Sequence, residues 1–90
     1  MTREAIVVSA ADNVATAVRD LRAGSTVRLE VNSRCCEVVL KKDIPYGHKF
    51  ATKEIGAGDP VIKYGFPIGA ARFDIEPGDL VHVHNVDGKR

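Results

Sequence analysis

The sequence predicts a mainly β domain of short strands and tight turns, with one short α-helix near its N-terminus. Three observations lead to this fold class. Apolar and polar residues alternate in several short runs, as they do in strands with one buried face. Turn-forming residues are frequent, with 8 glycines and 4 prolines among 90 residues. Apolar residues recur convincingly at helical spacing in a single segment, residues 11–24.

The N-terminal part is expected to form a strand followed by this helix. The strand is the apolar run at 6–8. In the segment ADNVATAVRDLRAG, Asp12 or Asn13 can cap the start of a helix, and Gly24 can end it in the left-handed conformation. The predicted buried face of the helix consists of Val14, Ala17, Val18 and Leu21.

A β-hairpin is predicted next. Val27, Leu29 and Val31 alternate with polar residues, and the run CCEVVL at 35–40 follows the turn signal Asn-Ser-Arg. Adjacent strand residues face opposite ways, so a disulfide between Cys35 and Cys36 would be strained. We predict two free thiols that fill small core or rim positions, as suits a cytoplasmic protein.

A spaced pattern recurs along the chain: an acidic residue, an aliphatic residue, a glycine after two residues, and an apolar residue after two more. The four copies are Asp20-Leu21…Gly24…Val27, Asp43-Ile44…Gly47…Phe50, Glu54-Ile55…Gly58…Val61 and Asp74-Ile75…Gly78…Val81. In the last three copies the pattern predicts a buried aliphatic side chain, a tight turn that needs the positive φ of glycine, and a strand that begins just after the turn.

Length and charge limit the classes of function. A chain of 90 residues predicts one domain, residues 1–90, with a core so thin that a partner subunit, a second copy included, would supplement it. The formal net charge of +1 gives no basis for binding nucleic acid or a membrane surface. No apolar run is long enough to span a bilayer, and the N-terminus MTREAIVVSAADN lacks the apolar region of a signal peptide. We therefore expect a cytoplasmic protein.

Candidate site residues lie in two loops and in the last predicted strand. The segment YGHKFA puts His48 and Lys49 just after a glycine turn, where both can project from a loop. The segment VIKYG puts Lys63 and Tyr64 at a strand end beside Gly65, which would let the backbone approach a ligand closely.

The last group is VHVHN at 81–85. In a strand, alternation would place His82 and His84 on one face, with Val81 and Val83 in the core and Asn85 following. Such a pair of histidines serves either to bind something or to face water.

Each candidate also has an ordinary structural interpretation. Lys49 and Lys63 can be solvated surface lysines, and Tyr64 can be a core ring whose hydroxyl reaches water. The histidines can form an exposed strand face, and without a third ligand nearby they do not predict a complete metal site. The sequence has no Ser/His/Asp set, no phosphate-binding glycine loop and no CxxC pair.

Four stretches carry a more specific signal. They are DNVATAVRDLRAG, IPYGHKFA, IxxGxPVIKYGFPIGAA and DIxPGDLVHVHNV, and they span positions 12–86. Together they resemble the N-terminal module of the altronate and galactarate dehydratases, a SAF domain with the β-clip fold. In that family the module is either fused to a large catalytic region or made as a separate small subunit.

The resemblance implies the small subunit of a hydro-lyase that dehydrates an anionic sugar acid such as altronate, together with a large catalytic subunit and inactive without it. It also implies a divalent metal, Fe²⁺ or Mn²⁺, in the assembled enzyme and none in the isolated chain. His48, His82 and His84 become candidates for catalysis, and Lys49, Lys63, Tyr64 and Asn85 for substrate binding. Two alternatives stay open, namely the small subunit of a sulfolactate sulfo-lyase and a non-catalytic SAF module with a binding or structural role.

Overall fold

The computed structural model describes residues 4–7, 9, 11–31, 34–82 and 84–88. Nine strands form in this part of the chain, so the mainly β prediction is confirmed. They are β1 (Ala5–Ile6), β2 (Val14–Ala17), β3 (Thr26–Val31), β4 (Arg34–Val39), β5 (Lys49–Ala51), β6 (Pro60–Lys63), β7 (Phe66–Ala71), β8 (Leu80–Val81) and β9 (Val86–Gly88). Within the described ranges we find no helix that could cross a membrane.

The strands form three layers. An antiparallel central sheet with the order β1-β2-β5-β8 lies between the β3–β4 hairpin and a three-stranded sheet with the order β6-β7-β9. Alternate residues of the central sheet enter two separate cores. Ala15 and Phe50 pack in the first core with hairpin residues, whereas Val14 and Ala51 pack in the second core with the three-stranded sheet. Both faces of the central sheet are therefore buried.

The predicted N-terminal helix is wrong, because its first half is strand β2. This strand pairs with β1 on one side and β5 on the other, so its backbone hydrogen bonds are made across the sheet. Asp12 and Asn13 do not cap a helix but accept hydrogen bonds from the backbone of residues 65 and 62. The small, apolar residues of the segment suit a strand buried on both faces, and this tertiary pairing overrides the helical spacing.

The β3–β4 hairpin is confirmed, with Val31 paired to Arg34 and residues 32 and 33 of its turn outside the described residues. Val27 and Leu29 are buried, as their alternation predicts. Cys35 and Cys36 are free thiols, as predicted, but both are exposed, so of the predicted core or rim positions the core is excluded.

The last three copies of the repeated pattern form the predicted turns, and the first copy, which was expected to end a helix, forms the same turn. All four aliphatic residues are buried, and they pair in two isolated bridges, Leu21 with Ile44 and Ile55 with Ile75. In each bridge the two residues exchange both backbone hydrogen bonds at 2.8 Å. The four glycines that follow have φ between 82° and 90°. The apolar residues that end the copies, Val27, Phe50, Val61 and Val81, are all at most 1% exposed.

Each glycine turn is fastened to a residue at the end of a strand, or just after it, by a matching pair of backbone hydrogen bonds. At the last turn, Gly78 N–H donates to the carbonyl of Ala51 at 2.8 Å, and Ala51 N–H donates to the carbonyl of Asp79 at 2.9 Å. The same two-bond arrangement fastens the other three turns. Their strand-side partners are Leu40 for Gly24, Ala17 for Gly47 and Ala71 for Gly58.

The acidic residue of one copy supports the turn of its bridged partner. Asp43 accepts the N–H of Ala23 at 2.8 Å, and Asp20 accepts the N–H of Tyr46 at 2.8 Å. Asp74 accepts the N–H of Ala57 at 2.9 Å. The fourth equivalent position is Pro77, which has no N–H to donate, and the acid facing this position in the pattern is glutamate rather than aspartate.

Removing one of the three aspartates should therefore destabilise the fold. We expect Asp20→Ala, Asp43→Ala and Asp74→Ala each to lower the free energy of unfolding by about 1 kcal/mol, because a turn N–H loses its acceptor. Glu54→Ala is the matched control and should change it by less than about 0.5 kcal/mol, because Pro77 needs no acceptor. Urea unfolding measures all four variants, and equal losses would contradict this cross-support.

The four glycine turns should also differ in their tolerance of alanine. Gly24→Ala should cost about 1 kcal/mol for its positive φ alone, since a Cβ there would meet nothing within 4 Å. Gly78→Ala should cost clearly more, because its Cβ would collide with the backbone carbonyl of Val39. Thermal unfolding of the two variants checks this order, and a reversed order would contradict the close backbone approach at Gly78.

Candidate functional site

The segment VHVHN ends a strand rather than forming one. Strand β8 stops at Val81, and the chain then turns, with Asn85 N–H donating to the carbonyl of His82 at 3.1 Å. The prediction that His82 and His84 share a strand face is therefore wrong, and Val83 lies outside the described residues. Both histidines are exposed.

Asn85 holds this turn in place. Its side chain is 3% exposed, its Oδ1 accepts the N–H of His82 at 2.9 Å, and its Nδ2 donates to the carbonyl of Leu80 at 2.7 Å. An asparagine that satisfies backbone groups in this way converts an extended chain into a turn. Asn85 thus positions His82 from inside the protein.

The structure brings together two of the three histidines. Lys49 on β5 pairs with Val81 on β8, so the next residues outward, His48 and His82, lie opposite each other. Their ring centroids are 5.0 Å apart and their planes are inclined by 42°. His48 Nδ1 lies 3.4 Å from the carbonyl oxygen of Tyr46. His84 projects from the turn that follows.

The two candidate lysines form a second group. Phe50 packs in the first core, so strand alternation directs the neighbouring Lys49 toward the layer that contains β6. Partial burial lowers the pKa of Lys49, and the nearby positive charge of Lys63 lowers it further. The Nζ of Lys63 lies 4.8 Å from the centroid of the Tyr64 ring, within the range of a cation–π contact.

Lys63 and Tyr64 lie at a tight hairpin turn between β6 and β7. Lys63 pairs with Phe66, and the two central residues both have positive φ, 54° for Tyr64 and 78° for Gly65. Two such residues are typical of a type I′ turn, in which asparagine and glycine are favoured and a bulky residue is rare. Sequence reasoning missed this hairpin, although a glycine-containing two-residue connection between apolar runs was available as its signal.

Asp12 and Asn13 are site-supporting residues that the helix prediction concealed. The carboxylate of Asp12 is 3% exposed, and its Oδ1 accepts the N–H of Gly65 at 2.7 Å. Asn13 Oδ1 accepts the N–H of Ile62 at 2.8 Å, and Asn13 Nδ2 donates to the carbonyl of Pro60 at 2.9 Å. These bonds connect the start of β2 to β6 and its turn.

The site therefore has two chemically different parts. The ammonium groups of Lys49 and Lys63 are suited to hold an anion such as a carboxylate. The imidazoles of His48 and His82 can take up, release or donate a proton, or supply two nitrogen ligands to a metal. Across the described ranges of the chain, no three His, Cys, Asp or Glu side chains are grouped so that they could hold a metal ion.

Several known proteins are similar to this chain in sequence. The family model for the SAF domain of altronate/galactarate dehydratase matches residues 3–89. Altronate dehydratase of Escherichia coli (strain K12) is 46% identical over 80 residues, which cover 89% of this chain and 15% of that enzyme. Altronate dehydratase of Bacillus subtilis (strain 168) is 47% identical over 74 residues, which cover 82% of this chain and 14% of that enzyme. The chain thus spans a small part of the length of these relatives.

A shorter relative matches as well. The (2R)-sulfolactate sulfo-lyase subunit alpha of Paracoccus pantotrophus is 54% identical over 53 residues, which cover 59% of this chain and 79% of that subunit. The family model nevertheless covers almost the whole sequence, as the four stretches quoted above predict. The chain belongs to the SAF-domain family of the altronate and galactarate dehydratases.

Proposed function

We propose that the chain is the small subunit of a hydro-lyase that dehydrates a sugar acid such as altronate, acting with a large catalytic partner. The observation that carries the proposal is the 46% identity to an altronate dehydratase over 89% of the chain. The small share of that enzyme covered by the match, 15%, supports a separate catalytic region. A domain of this size with its candidate groups at exposed turns is not expected to enclose a substrate alone.

The lysine pair supports an anionic substrate. Altronate carries a carboxylate beside the carbon that loses a proton during dehydration. Two ammonium groups at the carboxylate would bind the substrate and stabilise the charge that develops as the proton leaves. We assign Lys49 and Lys63 to this role, with Tyr64 beside them fixing the orientation of Lys63.

The histidine pair supports proton transfer. Elimination of water needs a base for the proton next to the carboxylate and a proton donor for the departing hydroxyl. The rings of His48 and His82 lie 5.0 Å apart, close enough for both to reach one substrate. We assign His48 and His82 to the edge of the active site, while His84 is a weaker candidate because nothing described holds it toward the pair.

The divalent metal, Fe²⁺ or Mn²⁺, belongs to the assembled enzyme in this proposal. When bound, such an ion would polarise the carboxylate of the substrate. The imidazoles of His48 and His82 are of a type that can serve as two of its ligands, and the remaining donors would come from the partner or the substrate.

A second candidate function is the small subunit of a sulfolactate sulfo-lyase. It is favoured by the 79% coverage of the Paracoccus subunit, whose name states that the lyase is built from subunits. Sulfolactate carries a sulfonate as well as a carboxylate, so it also suits a site with two ammonium groups. A role as a structural or binding module without chemistry is the remaining alternative.

Co-expression separates these functions. The chain is produced with a candidate large lyase chain from the same genome, the complex is purified, and elimination is assayed with altronate, galactarate and sulfolactate in the presence of Fe²⁺ or Mn²⁺. We expect turnover of one acid by the complex and none by either chain alone. A stable complex that is inactive on all three acids, or that is equally active without this chain, would contradict the proposal.

Loss of either lysine charge should weaken use of the substrate. We expect Lys63→Met and Lys49→Met each to lower kcat/KM of the complex. The loss should correspond to about 1.5–3 kcal/mol of transition-state stabilisation, the range for a hydrogen bond to a charged group. Lys42→Met removes the same charge from an exposed position between β4 and β5 and should leave kcat/KM unchanged. Equal effects of the three substitutions would point to a general electrostatic influence instead.

The histidines are tested by a matched set of glutamine substitutions. We expect His48→Gln and His82→Gln to reduce kcat while the fold and binding of the large chain persist, because both side chains lie outside the two cores. His84→Gln is the control and should retain most of the activity. Full activity in both pair variants would exclude the histidines from the chemistry.

A further inference from the structure

The hairpin of β6 and β7 ends in an exposed apolar tip, residues 64–67. Phe66 is 72% exposed, more than any other large apolar side chain in the part of the chain that the structure describes, and Tyr64 is 49% exposed. Pro67 is exposed as well. The run 64–71 has no charged residue, although charged residues make up 28% of the chain. An uncharged run with exposed aromatic residues is typical of the centre of a protein interface.

The backbone of the hairpin tip is fixed by a buried side chain. The carboxylate of Asp12 accepts the N–H of Gly65 at 2.7 Å with one oxygen and the N–H of Ser9 at 3.2 Å with the other. Tyr64, just before Gly65, has a positive φ of 54°, which a bulky residue rarely adopts. An aromatic side chain on a fixed backbone loses little conformational freedom on binding, so it is a favourable anchor for a partner.

The hairpin tip lies directly beside a proposed substrate-binding group. Phe66 pairs with Lys63 across the hairpin, and residues paired in this way have their side chains on the same face. The proposed function places Lys63 in an active site that a large catalytic chain completes. An exposed ring next to Lys63 on this face is therefore placed to contact the same chain.

The length of the relatives favours the same occupant. The match covers 15% of the altronate dehydratase of Escherichia coli and 14% of the enzyme of Bacillus subtilis, so most of each enzyme lies outside this domain. In such an enzyme the remainder is the largest surface available to cover the domain.

We infer that the hairpin tip is the anchor through which this chain docks on the large catalytic chain, with the Phe66 ring in an apolar pocket of that chain. Docking there brings Lys63 to the active site. A typical interface has about 20–30 residues on each side, so the four residues of the tip are its centre and further contacts surround them. The identity of the partner rests on the proposed function.

The test is an affinity measurement between this chain and a separately purified candidate large lyase chain from the same genome. Phe66→Ala should raise the Kd of the complex about thirtyfold or more, the effect expected for a central aromatic anchor. Phe73→Ala is the matched control, because Phe73 is 51% exposed and lies beyond the opposite end of β7. It should change the Kd less than about threefold. Thermal unfolding of the isolated variants checks that both remain folded.

Two further measurements separate docking from other roles of Phe66. Because the ring acts through binding, a saturating excess of the Phe66→Ala chain should restore kcat of the complex to near the wild-type value. Hydroxyl-radical footprinting of the wild type needs no variant. Oxidation of Tyr64 and Phe66 should fall when the large chain binds, whereas oxidation of Phe73 should not.

Unchanged affinity in Phe66→Ala, an unprotected tip, or no binding of the wild-type chain would overturn the inference. Self-association of this chain that Phe66→Ala abolishes, with unchanged affinity for the large chain, would also overturn it, because a second copy would then occupy the tip. A complex that depends on Phe66 but converts none of the three acids would refute the proposed function and leave the docking surface in place. An active complex whose affinity does not depend on Phe66 would do the reverse.

Discussion

The fold depends on the exchange of backbone hydrogen bonds between equivalent turns. Leu21 and Ile44 form one such pair, and Ile55 and Ile75 form the other, each through two bonds of 2.8 Å. Each pair buries two aliphatic side chains and brings two glycine turns together. Without these bridges the short strands would have too little pairing of their own to be stable, since strands β1 and β8 have only two residues each. The glycine turns and the long-range pairing between them therefore stabilise each other.

The two bridges also divide the molecule into similar halves. Each half consists of a strand, a bridged turn, a hairpin and a second bridged turn, and the acids of bridged copies support the turns of their partners. One turn departs from this regularity. Its residue equivalent to the N–H donor is Pro77, which has no N–H, and the acid of the bridged copy is Glu54 rather than an aspartate. The acid thus differs from aspartate in the copy whose partner turn has no N–H to donate.

The layered architecture explains why the candidate residues form two groups. Strand alternation in β5 directs Lys49 toward the second layer, which contains Lys63, whereas His48 lies at the end of the strand opposite His82. The histidines are placed by pairing within one sheet, and the lysines belong to two different sheets. Buried polar residues support both groups: Asn85 fixes the turn after β8, and Asp12 fixes the turn after β6.

The sequence by itself determined the mainly β class, the β3–β4 hairpin, the last three glycine turns and the family, because these follow from local spacing and from strings of residues. Tertiary structure decided the rest. Residues 14–17 have helical spacing but form a strand, since pairing on both sides satisfies their backbone. Likewise VHVHN has strand alternation but ends in a turn, because the buried side chain of Asn85 bonds the backbone at residues 80 and 82. The support of β6 and its turn could not be predicted either, since it depends on hydrogen bonds that Asp12 and Asn13 accept from residues 49 or more positions away. Local sequence patterns indicate which conformations neighbouring residues favour, whereas burial and long-range hydrogen bonds determine which of these conformations forms.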